Sequence, residues 1–195
     1  MAFLRRDTNE ENPRRLDGGL VSLRHPEAKD YAAWSALRGE SRTFLQPWEP
    51  TWSEEELSRN TYRSKLRRYA EDIRDGRAFP FFVFRASDHA FVGAVSLSRV
   101  QRGVAQSCAM GYWVGQRFAR QGLTLAAVRA VTRFAFGDLG LHRVEAACQP
   151  DNAPSKALLE KAGFSHEGFA RKYLKINGDW RDHLLYARLS SDGEP

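Results

Sequence analysis

The fold turns on the stretch Tyr112-Trp113-Val114-Gly115-Gln116-Arg117-Phe118-Ala119-Arg120-Gln121-Gly122-Leu123-Thr124. An apolar strand ends, a basic loop follows, and a helix opens at Gly122 and runs to about Phe136, with Leu125, Val128, Val131 and Ala135 on one face. The first N–H groups of a helix have no intrahelical partner and share its positive dipole end, so they attract an anion. Glycine lets a ligand approach the backbone, and Arg117 and Arg120 add charge. On these residues alone the stretch is a phosphate-binding turn or an ordinary strand-to-helix turn, because a single glycine does not choose between them.

Downstream, Arg143–Cys148 reads as a strand, which makes strand, helix and strand a crossover unit with a parallel pair. Upstream, Phe79 to Arg85, Phe91 to Arg99 and Ser107 to Gly115 are rich in Phe, Val and Tyr and read as three consecutive antiparallel strands. Before them come an alternating strand over Leu20 to Arg24 and a helix opened by Pro26 that carries Tyr31, Trp34 and Leu37. Ser53 with Glu56 has the form of a capping box for a long helix carrying Tyr62, Leu66, Tyr69 and Ile73 and ending near Gly76. Asn152 is placed to cap a short helix stopped by Gly163, and strands over Phe164 to Tyr173 and His183 to Leu189 finish the chain. The expected class is α+β: a mixed, mostly antiparallel sheet with one parallel pair and helices on both faces. The expected organisation is a flexible polar tail over 1–16, one domain over 17–190 and a short tail over 191–195.

The chain has 195 residues, 42% of them hydrophobic, enough for one domain that buries roughly 70% of its unfolded surface. No run approaches the roughly 18 apolar residues of a membrane span, and the first residues lack the apolar core of a secretory signal. A soluble, cytoplasmic protein is expected. Cys108 and Cys148 lack metal-ligand spacing, and no metal is expected; both read as buried thiols, with a catalytic Cys148 paired to one of His25, His89, His142, His166 or His183 left open. Thirty Lys and Arg against 24 Asp and Glu give a charge of +6, with basic pairs at Arg5-Arg6, Arg14-Arg15 and Arg67-Arg68. The excess suits a phosphorylated cofactor or RNA, or is an ordinary solvated surface.

The segment Ala119 to Thr124 resembles the acetyl-coenzyme A pyrophosphate loop of the GNAT acetyltransferases, R/Q-x-x-G-x-G/A, with Ala119 and Thr124 departing from the pattern at its ends. Asn152-Ala153-Pro154-Ser155-Lys156-Ala157-Leu158-Leu159-Glu160-Lys161-Ala162-Gly163-Phe164 resembles a second family segment, N-x-x-A/S-x-x-L-Y/L-x-x-x-G-F. The resemblance implies acetyl-coenzyme A as cofactor, held by Tyr112, Trp113, Val114, Arg117, Phe118, Ala119, Arg120, Gln121, Gly122, Leu123 and Thr124, with Asn152 and Ser155 facing the pantetheine arm. Three more stretches, Phe44 to Pro50, Leu141 to Ala146 and Tyr173 to His183, are similar to the branch that acetylates the N-terminal alanine of a ribosomal protein. In that branch the Trp48 loop and the Trp180 hairpin flank the acceptor, which makes Phe44, Trp48, Glu49, Tyr173 and Trp180 candidates for its wall. The two tryptophans serve equally well as partly buried packing.

The same resemblance implies a chemistry. A backbone N–H on the strand carrying Trp113 and Val114 polarises the thioester carbonyl. Many relatives place a Tyr at the position of Leu159 to protonate the departing thiolate; a hydrocarbon cannot, and Ser155 is the nearest hydroxyl to take that role. Glu49 is the first candidate for a base, followed by Asp182 and His183. An α-amine of pKa roughly 7.7 to 8.0 is about a tenth neutral at pH 7, against a few parts in ten thousand for a lysine, so a weak base suffices for an N-terminus. The expected partner is therefore the N-terminus of a ribosomal protein with Ala, Ser or Thr first. Acetylation of a small-molecule amine, and a ribosome- or RNA-associated module that keeps the fold without the catalysis, are the alternatives.

Overall fold

The computed structural model describes residues 15–193; Arg5, Arg6, Arg14 and most of the expected N-terminal tail lie outside them. In chain order the elements are β1 (Leu16–Asp17), β2 (Val21–Arg24), α1 (Tyr31–Glu40), α2 (Arg42–Leu45), α3 (Arg59–Arg74), β3 (Phe79–Arg85), β4 (Phe91–Gln101), β5 (Ser107–Val114), α4 (Leu123–Gly137), β6 (Arg143–Cys148), α5 (Ala153–Lys161), β7 (Ser165–Ile176) and β8 (Asp179–Leu189). One eight-stranded sheet has the order β1-β2-β3-β4-β5-β6-β8-β7. Its pairs are antiparallel except β5 with β6, the two strands joined through α4. A right-handed crossover is how a chain returns parallel to itself with a helix covering the sheet.

Alternation along β3 builds both faces of the core. Phe79 and Phe81 point to one side, where Phe134 of α4 meets them edge-on at 5.5 and 5.3 Å between ring centroids. Phe82 points to the other, packing on Phe91 at 4.7 Å, and Phe91 in turn meets Trp113 at 5.7 Å. Trp34 of α1 and Tyr62 of α3 pack with tilted rings, centroids 4.9 Å apart, and are buried. Periodic Leu, Val and Ala along α4 explain why that helix is buried along Ala127, Val128, Val131 and Ala135.

Four boundaries differ from the sequence expectation. Ser58, not Ser53, caps α3: its extended backbone (φ −70°, ψ 154°) lets its hydroxyl accept from Thr61 N at 3.1 Å. Glu56 instead lies in the preceding turn and ion-pairs with Lys65; the S-x-x-E spacing is local and does not fix where the helix begins. Leu16, placed in the tail, pairs with Leu23, so the ordered chain begins before Leu20. Strands β7 and β8 run further than expected toward each other and meet at Asn177-Gly178, whose φ values of 45° and 91° make the two-residue turn that matches strand twist. At the other end, Asp192 accepts from Leu189 N at 2.8 Å, so residues 191–193 continue the domain.

Strand β7 forms one edge of the sheet and is exposed along most of its length. Its register slips between His166 and Gly168 and again between Ala170 and Leu174, with Lys172 at φ 47° in the second slip.

Candidate active site

The two parallel strands part midway. Ser107 to Met110 of β5 pair with Arg143 to Ala146 of β6, whereas Gly111 to Val114 pair with β4 alone and Ala147 and Cys148 with β8 alone. Which backbone groups face the gap follows from register. Gly115 N donates to Val92 O at 2.9 Å, so the hydrogen-bonded pairs of β4 and β5 fall at every second residue from there, through Trp113 and Gly111. The N–H groups of Val114 and Tyr112 therefore point away from β4, into the gap. Val114 N–H is the donor placed to polarise a thioester carbonyl there; Trp113 N–H is used within the sheet.

The far end of β5 leads to α4. Arg120 (φ 61°) and Gly122 (φ 76°) are left-handed and turn the chain sharply into the helix. No side chain caps α4, and its first backbone bond is Ala126 N to Gly122 O at 3.0 Å. The N–H groups of Leu123, Thr124 and Leu125 are thus free of helical partners, a donor set that fits a pyrophosphate. Gln121 Nε2 donates to Arg117 O at 2.8 Å, which closes the loop on itself; Arg117 lies over the Phe118 ring and 3.3 Å from Glu40. Phe118 is buried beneath as the anchor of the loop, while Arg117 and Arg120 are exposed.

Helix α5 closes the gap from the α4 side. Asn152 Oδ1 accepts from Ser155 N at 3.1 Å, with Pro154 in the first turn, so the expected cap is formed. This fixes Ser155, whose Oγ is 2.6 Å from the Tyr112 hydroxyl. Burial pushes the Tyr112 phenol above its ordinary pKa, and the Cys148 thiol beside it is likewise raised by burial, only partly opposed by the Ser155 hydroxyl. Cys108 is pushed up to about 12 by burial and by Glu145. Both cysteines are free and buried, and burial favours the thiol form of each. Leu159 is fully buried in the core.

A second cluster of side chains surrounds Glu49 and the tip of the β7–β8 hairpin. Arg38 of α1 grips Glu49 with both terminal nitrogens, at 3.0 and 2.6 Å, and Trp52 Nε1 donates to the same carboxylate at 2.8 Å. The guanidinium stacks 4.2 Å from the Trp52 ring and 4.8 Å from the Trp113 ring. Glu49 O also accepts from Asn177 N at 2.9 Å, which ties this loop to the tip of the β7–β8 hairpin. Between them lies a cleft of about 370 Å³ lined by Trp48, Gln149, Asp151, Ile176 and Arg181 among others. Of the residues expected at the acceptor wall, Trp48 lines this cleft. Phe44, Glu49, Tyr173 and Trp180 do not line it: Trp180 is 60% exposed and Tyr173 packs edge-on against His183 at 5.8 Å.

The other candidate bases, Asp182 and His183, have hydrogen-bond partners within the protein. Asp182 Oδ1 accepts from Lys172 N at 2.7 Å across a bulge, and the buried His183 sets Nδ1 3.0 Å from Arg181 O. Gln149 and Asp151 carry no signal in the sequence, being ordinary polar residues after a strand. Arg38 carried a signal, since it falls one turn after Trp34 on a face that should be apolar. Among the described residues no group of three or more His, Cys, Asp or Glu side chains could hold a metal, and no helix is long and apolar enough to cross a membrane.

A parted parallel pair beside an uncapped helix N-terminus is the arrangement of a coenzyme A-dependent acyltransferase, and residues 21–165 match the family model of the acetyltransferase (GNAT) domain. The chain belongs to the GNAT acetyltransferases and is an acetyl-coenzyme A-dependent N-acetyltransferase. It is 36% identical over 168 residues to the ribosomal protein uS5-alanine N-acetyltransferase of Escherichia coli, covering 85% of this chain and 87% of that one. The structure of Mycobacterium smegmatis RimJ in complex with CoA-disulfide superposes with a TM-score of 0.84 at 35% identity, over 93% of this chain and 87% of that one. A ribosomal-protein-S5-alanine acetyltransferase from Vibrio fischeri superposes with a TM-score of 0.85 at 29% identity, over 93% and 100% of the two chains.

Proposed function

We propose that this chain acetylates the α-amine of a protein N-terminus, a ribosomal protein beginning with Ala, Ser or Thr, in the cytoplasm. The observation that carries the reading is the state of the acceptor end: Glu49, Asp182 and His183 are each committed to hydrogen bonds within the protein. Asp151, exposed at the mouth of the cleft, suits attraction of an ammonium group better than deprotonation of a lysine. A site without a dedicated strong base favours an amine that is already partly neutral. The likeness to relatives named for uS5-alanine acetylation supports the same acceptor.

Acetyl-coenzyme A brings the activated acetyl group. The N–H groups at the start of α4 and the side chains of Arg117 and Arg120 hold its phosphates, and Asn152 orders the turn that presents Ser155. Val114 N–H stabilises the oxyanion that develops as the amine attacks, and Ser155 hydrogen-bonds the departing sulfur. Glu49 acts at one remove: it fixes Arg38, and Arg38 fixes the Trp52 and Trp113 rings beside the gap. Arg171, Lys172 and Lys175, exposed on the edge strand β7, offer ribosomal RNA a place of contact near the acceptor.

The test is a competition between a peptide with a free N-terminal alanine and the same peptide blocked there but carrying lysines, read by mass spectrometry. Preferential acetylation of the free N-terminus is expected. Faster modification of the blocked peptide, or acetylation of small polyamines with neither peptide turned over, would replace the proposal by a lysine or small-amine acceptor.

A further inference from the structure

We propose that Tyr112 is a positioning residue for catalysis: its hydroxyl donates to Ser155 Oγ and so directs the serine hydrogen into the gap between β5 and β6, toward the sulfur that leaves. The inference rests on the proposed role of Ser155 and extends it to a residue on a different strand.

Three observations meet at this corner. Tyr112 lies on the face of β5 that α4 and α5 cover, and its Oη reaches 2.6 Å from Ser155 Oγ. Burial disfavours the phenolate, so the phenol keeps its hydrogen. Leu159, fully buried in α5, supplies no hydroxyl of its own.

A serine hydroxyl has one hydrogen to give and two lone pairs to fill. At 2.6 Å one hydrogen lies between the two oxygens, and it belongs to one of them. If it is the tyrosine's, the serine hydrogen is left for a sulfur acceptor, the neighbouring Cys148 at rest and the departing sulfur when it is present, and Asn152 already fixes the backbone that carries it. The resulting chain, Tyr112 O–H to Ser155 O–H to sulfur, has each bond strengthening the next. Without Tyr112, Ser155 is a first-turn hydroxyl free to turn back on the backbone of α5, as serines do.

The same facts limit what Tyr112 does. A phenol with a raised pKa is a weaker acid than a thiol of pKa about 8.5, so it donates a hydrogen bond and not a proton. In the step itself the amine nitrogen forms the C–N bond, the C–S bond breaks and its electron pair stays on sulfur. The proton lost by nitrogen goes to solvent. The two-hydroxyl chain stabilises the charge arriving on sulfur, which leaves as thiolate or takes a proton from solvent.

The experiment is a double-mutant cycle with Tyr112→Phe, Ser155→Ala and the double variant, measuring kcat and KM for acetyl-coenzyme A, with thermal unfolding as a check that each folds. Tyr112→Phe keeps the ring and its packing. The loss of one hydrogen bond should lower kcat about 3- to 10-fold with KM for acetyl-coenzyme A little changed. The double variant should be no slower than Ser155→Ala alone. Equal kcat in Tyr112→Phe and wild type, with Ser155→Ala impaired, would overturn the inference and leave the Ser155 role intact, and multiplicative losses would show that Tyr112 acts independently of the serine. An unimpaired Ser155→Ala would remove the role of Ser155 and the inference with it.

Discussion

Arg38 and Glu49 face each other as a two-point ion pair, 3.0 and 2.6 Å between the guanidinium nitrogens and the carboxylate oxygens, with Trp52 Nε1 completing the carboxylate's shell. Their side chains are only 8% and 19% exposed. Removing one member leaves a charge stranded, which costs roughly 3–5 kcal/mol in buried pairs. Glu49→Ala should therefore be destabilised toward that range in urea titrations, with Glu49→Gln, which keeps one acceptor, losing less. Turnover of the folded Glu49→Gln protein should fall by less than the roughly 100-fold that marks loss of a general base. A larger fall at unchanged stability would show Glu49 to be that base.

Gly122 stands at φ 76°, and the space around it is open apart from Leu20 Cδ1, 3.8 Å from where a Cβ would be. Gly122→Val is thus opposed by backbone conformation, at roughly 1–2 kcal/mol for a left-handed L-residue, rather than by collision. Relaxing that strain reorients the N–H donors of α4. Calorimetry should show the coenzyme A dissociation constant rising about tenfold or more, with the protein still folded. Unchanged affinity would move the pyrophosphate elsewhere.

With an acceptor that titrates by itself, kcat/KM should rise with pH to the amine's own pKa of roughly 7.7 to 8.0 and then level off. A rise centred near pH 6 to 7 would instead report an imidazole, and His183 would be the first to replace.

Cys108 and Cys148 should resist thiol reagents in the native protein at neutral pH and react once it is unfolded. Burial raises the thiol pKa of both, that of Cys108 to about 12, so the folded state favours the protonated form. The contribution of Cys108 to stability is complete below the unfolded pKa near 8.5 and falls as pH climbs from there toward 12. Replacing Cys108 with Ala should flatten that alkaline decline in a series of melts; an unchanged slope would place the loss in other groups.

The sheet was legible where short apolar runs stand between polar turns, whether buried on both faces as in most of β3 or alternating as in β6. Phe79–Arg85 and Arg143–Cys148 coincide with β3 and β6, because runs of Phe, Val and Ala bounded by polar turns have no other economical reading. The Asn152 cap was legible for the same local reason. The cap at Ser58 was not, since Ser53 and Ser58 both precede the helical pattern and only the path of the chain decides between them. At the site, the helix start at Gly122 could be read from its neighbours, whereas the Arg38–Glu49 pair, the Tyr112–Ser155 contact and the Gln149–Asp151 cleft join segments 11 to 102 residues apart. Such pairs arise from how distant segments pack together, and the sequence hints at one of them only through Arg38 on the apolar face of α1. Asn177-Gly178 is the exception: the pair is a strong hairpin signal in its own right, and it marks where β7 and β8 turn.

The exposed edge at β7 bears on how the molecule behaves in a crowded solution. A twelve-residue strand with one side unpaired is an invitation to another chain, and flat edges of that length seed aggregates. Here the ladder is broken twice by register slips, and Arg171, Lys172 and Lys175 place positive charge along it. A neighbouring copy approaching edge to edge would meet its own charge and a backbone out of step. Among the described residues no strand pairs with that side, and the edge is shaped for partners that are negatively charged or irregular in outline rather than for a second flat strand.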